Sequence, residues 1–305
     1  MSDEKFQLPA FAKINFSLRV LGRRADGYHE LRTLFQTISL GDSLTFEAGD
    51  AEGVELLCPA PDIPTDESNL VLRAASALRE RFGVRRGARI LLEKRIPAGG
   101  GLGGGSSDAA ATLVGLTRLW GLETDTGELA EIGARLGADV PFFLTGGTAL
   151  GTGTGAEITP LKDLPRKCLV LVTPGVRVST AEAFKALGVT ALTKAGSAVM
   201  LPISHAEAEF RDSLCEVMTN DFEPSVFRLF PEIGRARDAL KSAGAECAML
   251  SGSGSSVFGV FENESAAERA RASLAEAENG WQVFSCTTLA RDEYRRAFGE
   301  CAAIL

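Results

Sequence analysis

The stretch Pro97-Ala98-Gly99-Gly100-Gly101-Leu102-Gly103-Gly104-Gly105-Ser106-Ser107-Asp108 decides how this chain is read. Six of its twelve residues are glycine. Such a run gives up packing and costs conformational entropy, so bare backbone must be needed there. Ala88-Arg89-Ile90-Leu91-Leu92-Glu93-Lys94 before it reads as a strand, and Ala109 to Leu116 after it as a helix that Ser106, Ser107 or Asp108 can cap. A glycine loop running from a strand into a helix N-terminus is an anion site, because its N–H groups point outward and the helix dipole favours negative charge. The stretch is therefore read as a phosphate loop, with Gly103 expected to approach a phosphate too closely for a Cβ. The Walker pattern is excluded, because no lysine lies between Lys94 and Lys162. A dinucleotide fingerprint can be laid on Gly99, Gly101 and Gly104, but the loop does not follow the first strand. A flexible linker would have polar flanks, and these flanks are apolar.

Working outward, the 305 residues suggest two domains, and 45% hydrophobic with 24% charged residues is an ordinary globular balance. A net charge of −8 argues against nucleic acid as a partner. Residues 79 to 95 nevertheless carry seven Lys or Arg, read as a solvated face with phosphate attraction as the lesser reading. The six cysteines show neither metal nor redox spacing and no disulfide framework, so they are expected to be reduced. A polar, acidic N-terminus and the lack of any long apolar run argue against a signal peptide or a membrane span, and the location expected is cytoplasmic. With only His29 and His205, a multi-histidine metal site is excluded.

Residues 11 to 20 alternate, with Ile14, Phe16, Leu18 and Val20 on one face and Lys13, Asn15, Ser17 and Arg19 on the other. Spacing alone makes the polar face a solvent face. A turn at Asp26-Gly27 leads to Tyr28, His29 and a second strand over 31–40, with short strands at 43–47 and 54–58. Helices are expected over 69–82 and from a Thr126 cap to Gly137. Another starts at Asp139, which stands where an N-cap belongs, with Pro141 just inside. Beyond 155–166 the order becomes strand (169–173), helices (180–187, 205–217, 231–243), two strands (246–250, 257–261), helix (265–278) and strand (281–287). That order suggests a ferredoxin-like sheet with its helices on one face. A second small-residue loop, Ser251 to Ser256, sits between two of its strands.

Ala12-Lys13-Ile14-Asn15, the loop from Pro97 to Ser107, and Ser251-Gly252-Ser253-Gly254 resemble, in order, the three motifs of the GHMP kinases. Gly22 to Leu31, Gly137 to Phe142 and Asn220 to Pro224 resemble the branch that phosphorylates an alcohol on a substrate carrying a cytidine diphosphate group. The resemblance spans nearly the whole chain. It implies an α+β chain in the two-domain GHMP kinase fold: an N-terminal α/β domain of the ribosomal protein S5 domain 2-like type over 1–160, and a ferredoxin-like C-terminal domain over 161–305. It also implies ATP as co-substrate with Mg²⁺, and a small-molecule acceptor, with no nucleic acid and no membrane; the sequence assigns no metal ligands and offers only a hydroxyl of Ser106 or Ser107 as a candidate. By the same resemblance Asp139 is the general base and Lys13 its orienting partner. Pro97 to Ser107 hold ATP, Asn15 and Thr180 touch the acceptor substrate, and Tyr28 with His29 clamps cytidine. Two other readings stay open: a homoserine- or mevalonate-type kinase, and a nucleotide-binding regulator without turnover.

Overall fold

The computed structural model describes residues 5–49, 52–188, 214–278 and 280–305. The first two strands, β1 (Phe6–Arg23) and β2 (His29–Gly49), form one long antiparallel hairpin. Its turn is closed by Asp26, whose carboxylate accepts the Tyr28 N–H at 3.0 Å, and by Gly27 at φ +89°. The strands expected at 31–40 and 43–47 fuse into β2. The Gly41-Asp42 pair between them does not break the strand, because β1 pairs straight through it, Phe11 opposite Gly41 and Ala10 opposite Asp42, while β4 (Gly87–Glu93) pairs with Ser43 to Gly49 beyond.

The first sheet runs in the order β3 (Val54–Leu57), β4, β2, β1, β8 (Thr219–Asn220), with β5 (Thr148–Thr152) and β6 (Glu157–Pro160) continuing from β2. Four helices cover it: α1 (Leu70–Phe82), α2 (Gly104–Trp120), α3 (Thr126–Leu136) and α4 (Val140–Thr145). Helix α2 is buried from Ser107 to Thr117, and Gly115 lets it lie on Phe46, whose ring would stand 2.5 Å from a Cβ. Its start differs from expectation. Gly103, at φ +71°, is the residue before the helix, so Ser106, Ser107 and Asp108 lie inside the helix and do not cap it. In α3 the cap is Asp125, which accepts from the Glu128 N–H at 2.9 Å, and Thr126 is the first helical residue.

The second sheet is antiparallel, in the order β11 (Gln282–Thr287), β7 (Cys168–Thr173), β10 (Val257–Phe261), β9 (Cys247–Leu250). This is the ferredoxin-like order, and α8 (Pro231–Ser242) and α9 (Glu264–Ala277) cover one face of it through Ile233, Ala236, Leu240, Ala270 and Leu274. Its other face packs on the first domain: Leu169, Leu171 and Phe258 share a core with Ala12, Ile14 and Phe16 of β1. Hence β1 has no solvent face between Ala12 and Phe16, and the polar-face expectation for Lys13 and Asn15 is corrected. Both are buried, because helices and glycine loop cover one side of the strand while the second sheet covers the other.

Shorter helices complete the second half: α5 (Thr180–Leu187), α6 (Leu214–Val217), α7 (Glu223–Leu229) and α10 (Arg291–Ala297). Most of the helix expected over 205–217, and His205 with it, lies outside the described residues. Two pieces of the later sequence cross back. β8 pairs in parallel with β1, Ser17 opposite Thr219. Tyr294, Phe298, Cys301 and Leu305 enter the helical core of the first sheet. Gly146 is bare because a Cβ there would stand 2.3 Å from the Tyr294 ring. The cysteine expectation is also corrected, since Cys215 and Cys247 are bonded, with Cα atoms 5.6 Å apart. A 32-residue separation between a helix and a strand carries no spacing signal, and only the fold brings the two together.

Candidate active site

Gly99, Gly101 and Gly103 all take left-handed φ, near +71°, +75° and +71°. Alternation of left- and right-handed residues turns successive N–H groups toward one concavity, the geometry of an anion nest. The glycines also answer to the protein itself. A Cβ on Gly101 would stand 2.2 Å from the Ser251 carbonyl, one on Gly100 2.6 Å from the Ser256 hydroxyl, and one on Gly103 2.7 Å from the Phe143 ring. The expectation for Gly103 is therefore revised: core packing forbids its Cβ, whatever the phosphate requires. The two small-residue loops interlock through Ser256 N–H to Gly100 O at 3.0 Å and Ser251 Oγ to Gly101 O at 3.1 Å. Asn220 and Glu223 hold the second loop from behind. The Asn220 amide donates to the carbonyls of Leu250 and Gly252 at 2.9 and 2.8 Å, and Glu223 accepts from the Leu250 N–H at 2.9 Å.

A cleft of about 1220 Å³ opens on one side of the glycine loop and a cavity of about 360 Å³ on the other. Gly101 and Gly103 line both. Lys13 lies at the floor of the larger cleft. Its N–H donates to Leu102 O at 3.0 Å, and its Nζ stands 3.5 Å from Asp139 Oδ2 and donates to Asn15 Oδ1 at 2.9 Å. Asn15 in turn donates to Thr33 Oγ1 at 2.7 Å, and Thr33 to Ser17 O at 2.8 Å, so the amide oxygen is fixed toward the lysine. Asp139 precedes α4 but its side chain makes no capping bond. The carboxylate, 32% exposed beside a 5% exposed lysine, faces the cleft with free acceptor capacity.

The far end of the cleft is aromatic. Tyr28 is 66% exposed, and His29 stacks on Phe184 at 4.3 Å and 13°. Burial, and then the Arg23 charge, hold the His29 imidazole below its ordinary pKa, favouring the neutral ring. Thr180 shares a hydrogen bond of 3.0 Å with Ser253, tying α5 to the second loop. Phe184 is a cleft residue that sequence reasoning missed, since an aromatic on a helical stripe reads as core.

The smaller cavity is walled by Ile63, Pro64, Asn69, Leu70, Lys94 and the loop from Pro97 to Ser106. Ser107 is turned inward: its hydroxyl donates to Phe11 O at 2.7 Å and its N–H to Gly103 O at 2.9 Å. Under this cavity lies a buried ionic cluster that the charge-run reading missed. Lys94 Nζ bonds Asp42 and, at 2.7 Å, Asp108, while Asp42 also accepts the Arg95 and Ile96 N–H groups at 2.5 and 2.8 Å. Both anchors of the glycine loop thus close on one ammonium. Burial pushes the Asp108 carboxyl up to about 7, with Lys94 opposing and Asp42 adding to the rise.

The GHMP kinases N terminal domain family matches residues 69–147 and the GHMP kinases C terminal family residues 205–279. A 4-diphosphocytidyl-2-C-methyl-D-erythritol kinase of Citrifermentans bemidjiense is 42% identical over 286 residues, covering 94% of this chain and 100% of the relative. One of Prosthecochloris aestuarii is 44% identical, covering 89% and 94%. A solved 4-(cytidine 5'-diphospho)-2C-methyl-D-erythritol kinase superposes with a TM-score of 0.76 at 38% identity, over 93% of this chain and 99% of that one. A homoserine kinase of Cytophaga hutchinsonii shares the fold, with a TM-score of 0.68 at 22% identity. A glycine loop between two cavities, a lysine–aspartate pair on its inner side and near-complete coverage at this identity lead to one assignment: the chain belongs to the GHMP kinases, in the 4-diphosphocytidyl-2-C-methyl-D-erythritol kinase family.

Proposed function

We propose that this kinase transfers the γ-phosphoryl group of ATP to the tertiary 2-hydroxyl of 4-diphosphocytidyl-2-C-methyl-D-erythritol. The 2-phosphate and ADP are the products, formed in the non-mevalonate route to isoprenoid precursors. The observation that carries the reading is the Lys13–Asp139 pair at 3.5 Å, set where the two cavities meet across Gly101 and Gly103. ATP takes the smaller cavity, with its triphosphate on the N–H groups of the glycine loop and its adenosine toward Ile63, Pro64, Asn69 and Leu70. The acceptor takes the larger cleft. Asp139 accepts the hydroxyl proton as the new P–O bond forms, and Lys13 stabilises the charge on the attacking oxygen. Asn15, bonded to Lys13 and Thr33, holds the lysine in line and meets the acceptor with the amide capacity that remains. Phosphoryl transfer asks mainly for positioning and charge stabilisation, and a site built from rigid neighbours supplies both.

Mg²⁺, when bound with ATP, neutralises phosphate charge. Of the two loop serines, Ser106 lines the smaller cavity and Ser107 is bonded inward, and Mg²⁺ needs few protein ligands because phosphate oxygens and water complete its shell. Tyr28, His29 and Phe184 form the cytosine clamp, and Thr180 and Ser253 close the acceptor side. The clamp favours a cytidyl acceptor over homoserine or mevalonate, which carry no base to stack. Residues 1–160 supply the acceptor pair and phosphate loop, and 161–305 supply Phe184, Thr180 and the second loop. We place the reaction in the cytoplasm, where ATP and the small acceptor meet. No helix among the described residues is long and apolar enough to cross a membrane.

The test is an assay of the purified protein with ATP and Mg²⁺ against the cytidyl alcohol, homoserine and mevalonate, the product being identified by phosphorus NMR. A phosphomonoester on the cytidyl alcohol alone is expected. Turnover of homoserine or mevalonate instead overturns the reading, and ATP binding without turnover of any acceptor favours a regulator.

A further inference from the structure

The Cys215–Cys247 bridge stands beside the side chains that hold the second small-residue loop. Cys215 lies on α6, the short helix that runs into β8 and Asn220. Cys247 opens β9, the strand that runs into Ser251. Farther along the same two segments hydrogen bonds take over: the Asn220 amide donates to Leu250 O and Gly252 O, and Glu223 accepts the Leu250 N–H. β9 is the last strand of its sheet, with β10 on one side and this seam on the other. The disulfide is the covalent end of the seam.

The seam carries a loop that touches the glycine loop directly. Ser251 Oγ donates to Gly101 O at 3.1 Å and the Ser256 N–H to Gly100 O at 3.0 Å. The fit is tight, since a Cβ on Gly101 would stand 2.2 Å from the Ser251 carbonyl. Close packing of this kind transmits strain from one segment to the next. The bridge is also within reach of a small thiol: Cys215 and Cys247 are both half-buried, whereas the free Cys286 and Cys301 are buried. In a compartment whose thiols are kept reduced, a disulfide is conditional on the redox poise and serves most often as a transient or sensing bond.

We propose that the Cys215–Cys247 bond is a redox-sensitive brace on the glycine loop. Formed, it fixes β9 and the second loop in the geometry that receives ATP; broken, it lets both relax and weakens ATP binding. The step is thiol–disulfide exchange with a small thiol such as glutathione. One thiolate attacks a sulfur of the bridge to give a mixed disulfide, and a second thiol resolves it. Two electrons and two protons end on the two cysteine sulfurs, and the small thiol leaves as its own disulfide. Coupling is reciprocal, so bound ATP makes the bridge harder to reduce by the same factor. The inference takes from the proposed function only that ATP lies on the glycine loop.

The experiment equilibrates the wild type, Cys215→Ser and Cys247→Ser in glutathione buffers of graded ratio, with and without saturating ATP. Alkylation and mass spectrometry count the bridge, and calorimetry reads ATP affinity on the fully oxidised and fully reduced forms. The oxidised wild type is expected to bind ATP at least about fivefold more tightly than the reduced one. Saturating ATP is expected to move the midpoint about 20 mV more negative for a fivefold coupling, because about 30 mV is tenfold for a two-electron couple. Each serine variant shows the reduced-form affinity in every buffer. A bond that only stabilises the fold raises the unfolding temperature and leaves ATP affinity and the midpoint independent of each other; that outcome overturns the brace. So does equal ATP affinity of the two wild-type forms, with the bond verified as made and broken, and so does a bridge that forms at no glutathione ratio. An oxidised wild type that binds no ATP overturns the placement of ATP on the glycine loop, and the brace falls with it.

Discussion

Two lysine–aspartate groupings flank the glycine loop, and they are built in opposite ways. Lys94 is clamped between Asp42 and Asp108, with side-chain exposures of 9%, 0% and 4%. Lys13 meets a single carboxylate, Asp139, which keeps 32% exposure and makes no capping bond. The first grouping is closed on itself: Asp42 receives the ammonium and two backbone N–H groups, the ammonium receives two carboxylates, and only Asp108 Oδ1, at the wall of the smaller cavity, is left without a partner. The second keeps an acceptor facing the cleft. Identical residue types therefore form a buried staple on one side of the loop and, on the other, a half-open pair that we propose is the reactive one. The difference lies in exposure and not in charge. A buried pair is costly to break, because the survivor is left unpaired in a poor solvent for ions. A half-open pair can change partner when a substrate arrives.

The sharpest way to break this comparison is Asp139→Asn. The asparagine keeps shape and removes the proton acceptor, so kcat is expected to fall about 10²- to 10⁴-fold with the melting temperature unchanged. Lys13→Met is expected to act similarly, and the double variant to be little worse than either, because the two serve one step. A fully active Asp139→Asn enzyme would remove the reactive half of the comparison.

Lys94→Met tests the staple. It strands two buried carboxylates and is expected to cost about 3–5 kcal/mol of stability in urea unfolding, whereas Lys13→Met costs much less. Equal losses for the two lysines would abolish the contrast.

A smaller effect sharpens the reactive side. Phe184→Ala is expected to lose about 1–3 kcal/mol of binding to the cytidyl substrate, seen in KM with ATP affinity retained. Tyr28→Ala, at a 66% exposed position, should do the same without loss of stability. A matching loss toward ATP would mean that the clamp supports the fold and not the base.

The mildest prediction concerns pH. Burial and Arg23 lower the His29 pKa below 6.5. The neutral ring is thus favoured in the folded chain, and the stability linked to it is fully present above pH 6.5. It is lost as pH falls from 6.5 toward the depressed folded value. KM for the cytidyl substrate should rise over the same descent, as a charged ring meets Arg23 and loses its place against Phe184. A KM profile that is flat through that window, with ATP binding intact, would take His29 out of base recognition.

Much of the fold was legible because local chemistry and global structure agree. The glycine run between a strand and a helix, the alternation in β1, and the strand–helix order of the second half each follow from periodicity and backbone freedom within a few residues. Where reading failed, a distant element had intervened. The break expected between strands 31–40 and 43–47 is absent because β1 pairs with Gly41 and Asp42 and carries the strand through. Lys13 and Asn15 carry a solvent-face pattern, but a second sheet and a helical layer cover both sides of their strand. Lys94 sits in a basic run that is otherwise open to solvent, yet Asp42 and Asp108 enclose it.

The family of the chain, the glycine loop between a strand and a helix, the ferredoxin-like second sheet, and the choice of Lys13, Asp139, Tyr28 and His29 as candidate residues could all be read from the residues in order. Those properties reside in contiguous motifs, where neighbouring residues constrain one another through the backbone. Packing alone leaves Asp139 half-open while it clamps Asp42 and Asp108 on Lys94, stacks Phe184 on His29, sets Phe143 against Gly103 and brings Cys215 to Cys247. Exposure, partner saturation and through-space distance are properties of the packed chain. They arise from contacts between residues far apart in sequence, and no local pattern records them.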